Sequence, residues 1–188
     1  MPAPTPAQLG PLAGLVGTWE GDGGLDISFH HAEGAVGETR YRERVTFNPF
    51  GPVDNGKQSL CGLDYRMAGY REGEDEPFHT ECGYWLWDAT DGQVLRCFLI
   101  PRGTAVLAGG SATADSKSFT LTAECGSETY GILSNVYLAE QARTTRYEVT
   151  ITVGDDMWSY EETTVIDSKT FGGILEHTDL NTLHRVAD

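Results

Sequence analysis

From residue 17 onward the chain keeps a period of two. In Arg40-Tyr41-Arg42-Glu43-Arg44-Val45-Thr46-Phe47 the side chains of Tyr41, Val45 and Phe47 share one face of an extended strand, and Arg40, Arg42 and Arg44 share the other, which must face water. Glu43 falls on the inward face beside Tyr41 and needs a hydrogen-bonding partner there. Runs of strand character follow at Gln58–Tyr70, Phe78–Trp87, Gln93–Ile100, Ala105–Ala112, Phe119–Cys125, Thr144–Val153, Met157–Val165 and Leu175–Val186. Turn signals separate them: Asp54-Asn55-Gly56, Glu72-Gly73-Glu74-Asp75, Asp91-Gly92, Pro101-Arg102-Gly103 and Gly154-Asp155-Asp156. With the first segments the count is about ten strands. Short connections predict up-and-down antiparallel order, closed into a barrel with room for one ligand.

Two stretches break the alternation. Leu9, Leu12 and Leu15 recur every three residues, which predicts a short helical turn closing one barrel end. The run Gly17-Thr18-Trp19-Glu20-Gly21-Asp22-Gly23 then supplies an aromatic plug, with glycines that let the first strand bend and pass close to its neighbours. The second break, 126–143, carries Tyr130, Ile132, Leu133, Tyr137 and Leu138 and is too apolar for a loose linker. It reads either as an ordered lid at the mouth or as a loop packed on the outside. Residues 1–8 are Pro/Ala-rich and are expected to be flexible, leaving 9–188 as a single all-β barrel domain of lipocalin or fatty-acid-binding-protein type.

Composition narrows the partners. The 188 residues carry 13 Lys and Arg against 28 Asp and Glu, a net charge of −15 that disfavours nucleic acid and anionic membranes. A small molecule in the cavity is the expected partner, with the chain a monomer or homodimer. No apolar stretch approaches membrane-spanning length, and the start of the chain has neither the basic nor the apolar region of a signal peptide. Cys61, Cys82, Cys97 and Cys125 are widely spaced and form no Cys-x-x-Cys pair, so free thiols in a reducing cytoplasm are expected.

The histidines are the best chemical handles. His30 and His31 are adjacent and point to opposite faces of a strand, and His184 lies beside Arg185 near the end. His79 opens Phe78-His79-Thr80-Glu81-Cys82-Gly83-Tyr84-Trp85, and His177 lies on the last strand with Asp179 two residues on and on the same face. A lone strand histidine is more often a core or surface residue than a ligand, and periodicity does not separate these.

Several segments resemble the nitrobindin family, haem-holding barrels of fatty-acid-binding-protein type. They are Gly17-x-Trp19-x-Gly21-x-Gly23, the His79-x-Glu81-x-Gly83-Tyr84-Trp85 segment, Tyr41-x-Glu43-x-Val45-x-Phe47 with Leu63-x-Tyr65, and Pro101-Arg102-Gly103 with Gly109. The likeness spans about Leu12 to Val186. The chain departs from the family at Leu25, Ile27 and Ser28, where relatives continue with glycine and Tyr-Pro. The resemblance implies haem b as cofactor, His177 as the axial iron ligand and His79 on the distal side near a bound water or oxyanion. It implies supporting places for Asp179, which would hold the second nitrogen of His177 or a nearby polar group, and for Glu81. It also implies an action on nitric oxide and peroxynitrite. No purely catalytic residue is singled out. His79 with Glu81 also reads as a buried structural pair. The competing class is a haem-free carrier of a fatty acid or another flat apolar molecule. An acid/base enzyme using His79 and Glu81 is a third, with no nucleophile to accompany them.

Overall fold

The alternation closes into a β-barrel in a computed structural model that describes residues 3–186. A four-residue helix α1 (Pro6–Leu9) starts three residues ahead of the boundary drawn at residue 9, and a 3₁₀ turn follows over Gly10–Leu15. The strands are β1 (Gly17–His30), β2 (Ala35–Asn55), β3 (Gln58–Arg71), β4 (His79–Asp88), β5 (Gln93–Ile100), β6 (Thr104–Ser111), β7 (Ser118–Cys125), β8 (Gly131–Ser134), β9 (Ala142–Val153), β10 (Met157–Ser168) and β11 (Gly173–Arg185), with helix α2 (Val136–Gln141) between β8 and β9. Around the barrel the order is β1-β11-β10-β9-β7-β8-β6-β5-β4-β3-β2, so the first and last strands meet.

This corrects the expectation of about ten strands in purely antiparallel order. The extra strand comes from the 126–143 segment: β8 wedges between β6 and β7 toward the mouth, antiparallel to β6 and parallel to β7 through Glu124 opposite Gly131 and Cys125 opposite Ile132. Beyond the wedge β6 meets β7 directly, at Gly109 opposite Thr122. The same segment therefore forms part of the wall and, through α2, part of the rim. Among the described residues no helix is long and apolar enough to cross a membrane, and Cys61, Cys82, Cys97 and Cys125 are all free.

One barrel end is sealed. Leu12, Leu15 and Trp19 are fully buried, and the Trp19 indole N–H donates to the Leu15 carbonyl at 2.7 Å. Arg185, near the end of β11, lies over the Trp19 ring at 4.1 Å and donates to the carbonyls of Val16 at 2.6 Å and Gly14 at 3.1 Å. The chain's two ends are thus tied to one plug. Phe47, Tyr65, Trp85 and Trp158 pack edge to face or tilted above it, each contributing about 2–3 kcal/mol of burial. Past the floor the register of β1 with β2 shifts between Gly21 and Gly24. A Cβ on Gly24 would sit 2.5 Å from the Tyr41 ring, so the glycine-rich bulge makes room for Tyr41 inside the barrel.

Candidate functional site

The paired strands β10 and β11 show how the interior changes with height. From the floor upward their facing inward pairs are Trp158–Leu183, Tyr160–Asn181, Glu162–Asp179, Thr164–His177 and Ile166–Leu175. On this wall a polar belt therefore separates an apolar floor from the apolar Ile166–Leu175 pair above it, within a cavity of about 740 Å³.

Glu43 anchors one half of the belt. Its carboxyl accepts from the Tyr160 hydroxyl at 2.8 Å and from Asn181 Nδ2 at 3.0 Å, which supplies the partner its inward position demands. The Tyr160 and Tyr41 hydroxyls lie 2.7 Å apart, and Tyr41 also contacts the Asp179 carboxyl. The three contacts from Glu43 through both tyrosines to Asp179 require three protons, and the two hydroxyls carry two. All three are therefore hydrogen bonds only when one of the carboxyls is protonated. The electrostatics agree. Burial pushes Glu43 up to about 7 against the pull of Asn181 and Tyr160, and burial with the nearby Glu162 charge pushes Asp179 up to about 7.

Arg96 anchors the other half. Buried, it donates to Glu81 at 2.6 Å and Glu162 at 3.0 Å and contacts the Tyr147 hydroxyl, while its guanidinium lies 4.4 Å from the Phe98 ring centre and 5.2 Å from that of Trp85. Tyr65 donates to Glu81 at 2.9 Å and Tyr147 to Glu162 at 2.7 Å. Burial works against the Glu81 charge, but Arg96 and then His79 outweigh it and hold the carboxyl down at about 2. The Arg96 Nε and the indole nitrogens of Trp85 and Trp158 have no partner among the described residues, leaving orphaned donors beside the cavity.

The two singled-out histidines stand above the belt. Their strands, β4 and β11, are separated by three strands on one side and six on the other, so the imidazoles approach the cavity from different walls. His79 Nε2 lies 3.3 Å from Glu81. Burial disfavours its charge, yet the Glu81 carboxylate raises its pKa overall. His177 Nε2 lies 2.5 Å from Asp26, which also accepts from Ser28 at 2.5 Å. Burial again opposes the charge, and Asp26 again wins, raising His177 while Asp26 itself is held below the usual carboxylate range. Each imidazole keeps its Nδ1 free of protein partners among the described residues.

The structure thus joins His79 to Glu81 in one contact, and of the two places expected for Asp179 it shows the nearby polar group, with Asp26 meeting the His177 nitrogen. Asp179 turns to Tyr41. His30 reaches the mouth and meets Thr39 at 3.1 Å, His31 packs edge-on against Phe29, and His184 is exposed. Arg96, Glu162, Tyr160 and Asp26 are not singled out by sequence reasoning. For Arg96 the signal existed, since it shares the inward face with Val94 and Phe98. For Asp26 it did not, because the bulge at Gly21–Gly24 breaks the period before it.

Residues 8–185 match the family described as "THAP4-like, heme-binding beta-barrel domain". The chain belongs to this family. It is a nitrobindin-type haem-binding barrel, and haem is the cofactor of its family. The chain is also similar to a protein named peroxynitrite isomerase from Clavibacter michiganensis subsp. michiganensis (strain NCPPB 382), at 35% identity over 111 residues, covering 55% of this chain and 48% of that one. A second, of the same name, from Clavibacter sepedonicus is 36% identical over 91 residues, covering 45% and 38%. The chain spans about half the length, or less, of these curated relatives. Among solved structures, that of Rv2717c from M. tuberculosis shares the fold, with a TM-score of 0.65 at 19% identity over 97% of this chain and 99% of that one.

Proposed function

We propose that this barrel holds haem b through His177, places His79 on the distal side and converts peroxynitrite to nitrate, with nitric oxide as a further ligand. One observation carries the reading: two imidazoles from different walls reach a single cavity above a polar belt, with Phe78, Ile166 and Leu175 among the side chains that line it. The donor set suits a porphyrin. A porphyrin already holds its iron through four ring nitrogens, so one neutral imidazole from the wall is enough to ligate it.

Bound ferric haem supplies a Lewis acid for the peroxo oxygen. The chain's own residues do the rest. His177 offers its ring nitrogen only as neutral imidazole, so loading releases the proton that Asp26 favours. His79, held by Glu81 and through it by Arg96, presents an N–H to an oxyanion in the cavity when it is protonated, the form that the Glu81 carboxylate favours. Ile166, Leu175, Phe78 and Phe98 exclude water from the space between. A reducing cytoplasm suits the free thiols.

A second reading has its own support. The apolar floor of Phe47, Trp85 and Trp158 would also pack against the tail of an apolar ligand such as a fatty acid, as in a haem-free carrier. The deciding experiment mixes hemin-loaded protein with peroxynitrite and follows decay and nitrate yield. The haem reading expects decay faster than with free hemin, and a slower rate in His79→Ala with the haem retained. Decay no faster than in buffer would overturn the activity.

A further inference from the structure

We infer that the cavity takes a porphyrin with its carboxylate edge outward, and that Arg71 and Arg102, on one arc of the rim, receive the two carboxylates. The inference rests on the haem reading and adds the ligand's orientation and the residues that fix it.

The depth of the barrel rejects carboxylates. Asp26, Glu43, Glu81, Glu162 and Asp179 all line the cavity. The cations at that depth are already engaged: Arg96 with Glu81 and Glu162, His79 with Glu81, and His177 with Asp26. A ligand carboxylate pushed inward would lose its water and meet like charge with no unpaired cation to compensate. The orphaned donors of Trp85, Trp158 and Arg96 Nε are too few and too apolar in setting to replace that loss.

The rim is different. Arg71 ends β3 and Arg102 sits in the turn between β5 and β6, and both line the mouth. Since β3, β4 and β5 are consecutive neighbours, the two arginines share one stretch of rim, on either side of the β4 strand of His79. The Arg102 guanidinium has no hydrogen bond or ion pair among the described residues, while its backbone is fixed by Asn135 Nδ2 on the Arg102 carbonyl at 2.7 Å. Arg71 lies over the Phe78 ring at 4.7 Å and meets Glu74 only at 3.5 Å, with both side chains about half exposed. That exposed pair is weak, so a ligand carboxylate can displace it. The planar guanidinium fork matches a carboxylate in two-point contact, so a porphyrin whose carboxylates stay at the mouth meets two arginines there, one without a partner among the described residues and one only weakly paired.

The test titrates wild type and an Arg71→Gln/Arg102→Gln double variant with hemin, metal-free protoporphyrin IX and protoporphyrin IX dimethyl ester. The inference expects wild type to bind the free acid about tenfold more tightly than the ester, and the double variant to bind the two alike, each arginine accounting for about threefold. The hemin Soret maximum should keep its wavelength in the variant, because the arginines do not touch the iron. Equal binding of acid and ester by wild type, or a variant that weakens both equally, overturns the inference while hemin binding stands. Wild type that gives no saturable hemin band fails the haem reading itself, and this inference with it.

Discussion

Glu43 is the residue on which burial and charge conflict most directly. Its side chain is fully enclosed, accepts from Tyr160 and Asn181, and titrates near 7 instead of its ordinary 4.5. A carboxyl whose pKa rises on folding binds more protons folded than unfolded between those two values. Its contribution is therefore intact below about pH 4.5 and is lost as pH climbs through 7. Glu43→Gln keeps the shape and removes the charge. Thermal melts should show little change at pH 5 and a gain of up to about 3 kcal/mol at pH 8, the size of the pKa displacement. A variant less stable at pH 8 would mean that the charged form is the one the fold favours. The inward place of Glu43 was legible from the alternation with Tyr41 and Val45. Its partners were not, because Tyr160 and Asn181 lie more than a hundred residues away and only barrel closure brings them near.

At the scale of elements, the rim segment is the part the pattern conveyed least. A four-residue strand such as β8 is too short for its period to be counted, although its Ile132 points inward and its Leu133 outward as a strand requires. What holds α2 is local. Asn135 Oδ1 accepts from the Leu138 N–H at 2.9 Å, its Nδ2 ties the Arg102 carbonyl, and Gly103, at φ +86°, leaves it room. A Cβ at Gly103 would come within 2.7 Å of Asn135. Asn135→Ala removes the cap and the tie, at a cost of about 1 kcal/mol. Hydrogen exchange should quicken over residues 136–141 and leave the amides of β9 and β10 unchanged. Exchange that quickens equally across the barrel would show that the rim and wall open as one unit.

At the scale of the whole molecule, the closed sheet turns a strongly acidic chain into a container whose apolar floor, polar belt and mouth are set by the same alternation of side chains. The sealed end and the strand faces were readable because Trp19, Leu12 and Leu15 and the period of two act locally. The pairing of His177 was not, since it depends on how β1 and β11 meet when the barrel closes. The central claim is that this cavity takes haem on His177. Titrating the purified apoprotein with hemin tests it most directly. The account predicts a sharp, saturable Soret band at one hemin per chain that is lost in His177→Ala and kept in His79→Ala. A His177→Ala protein that binds hemin with the affinity and spectrum of wild type would contradict it.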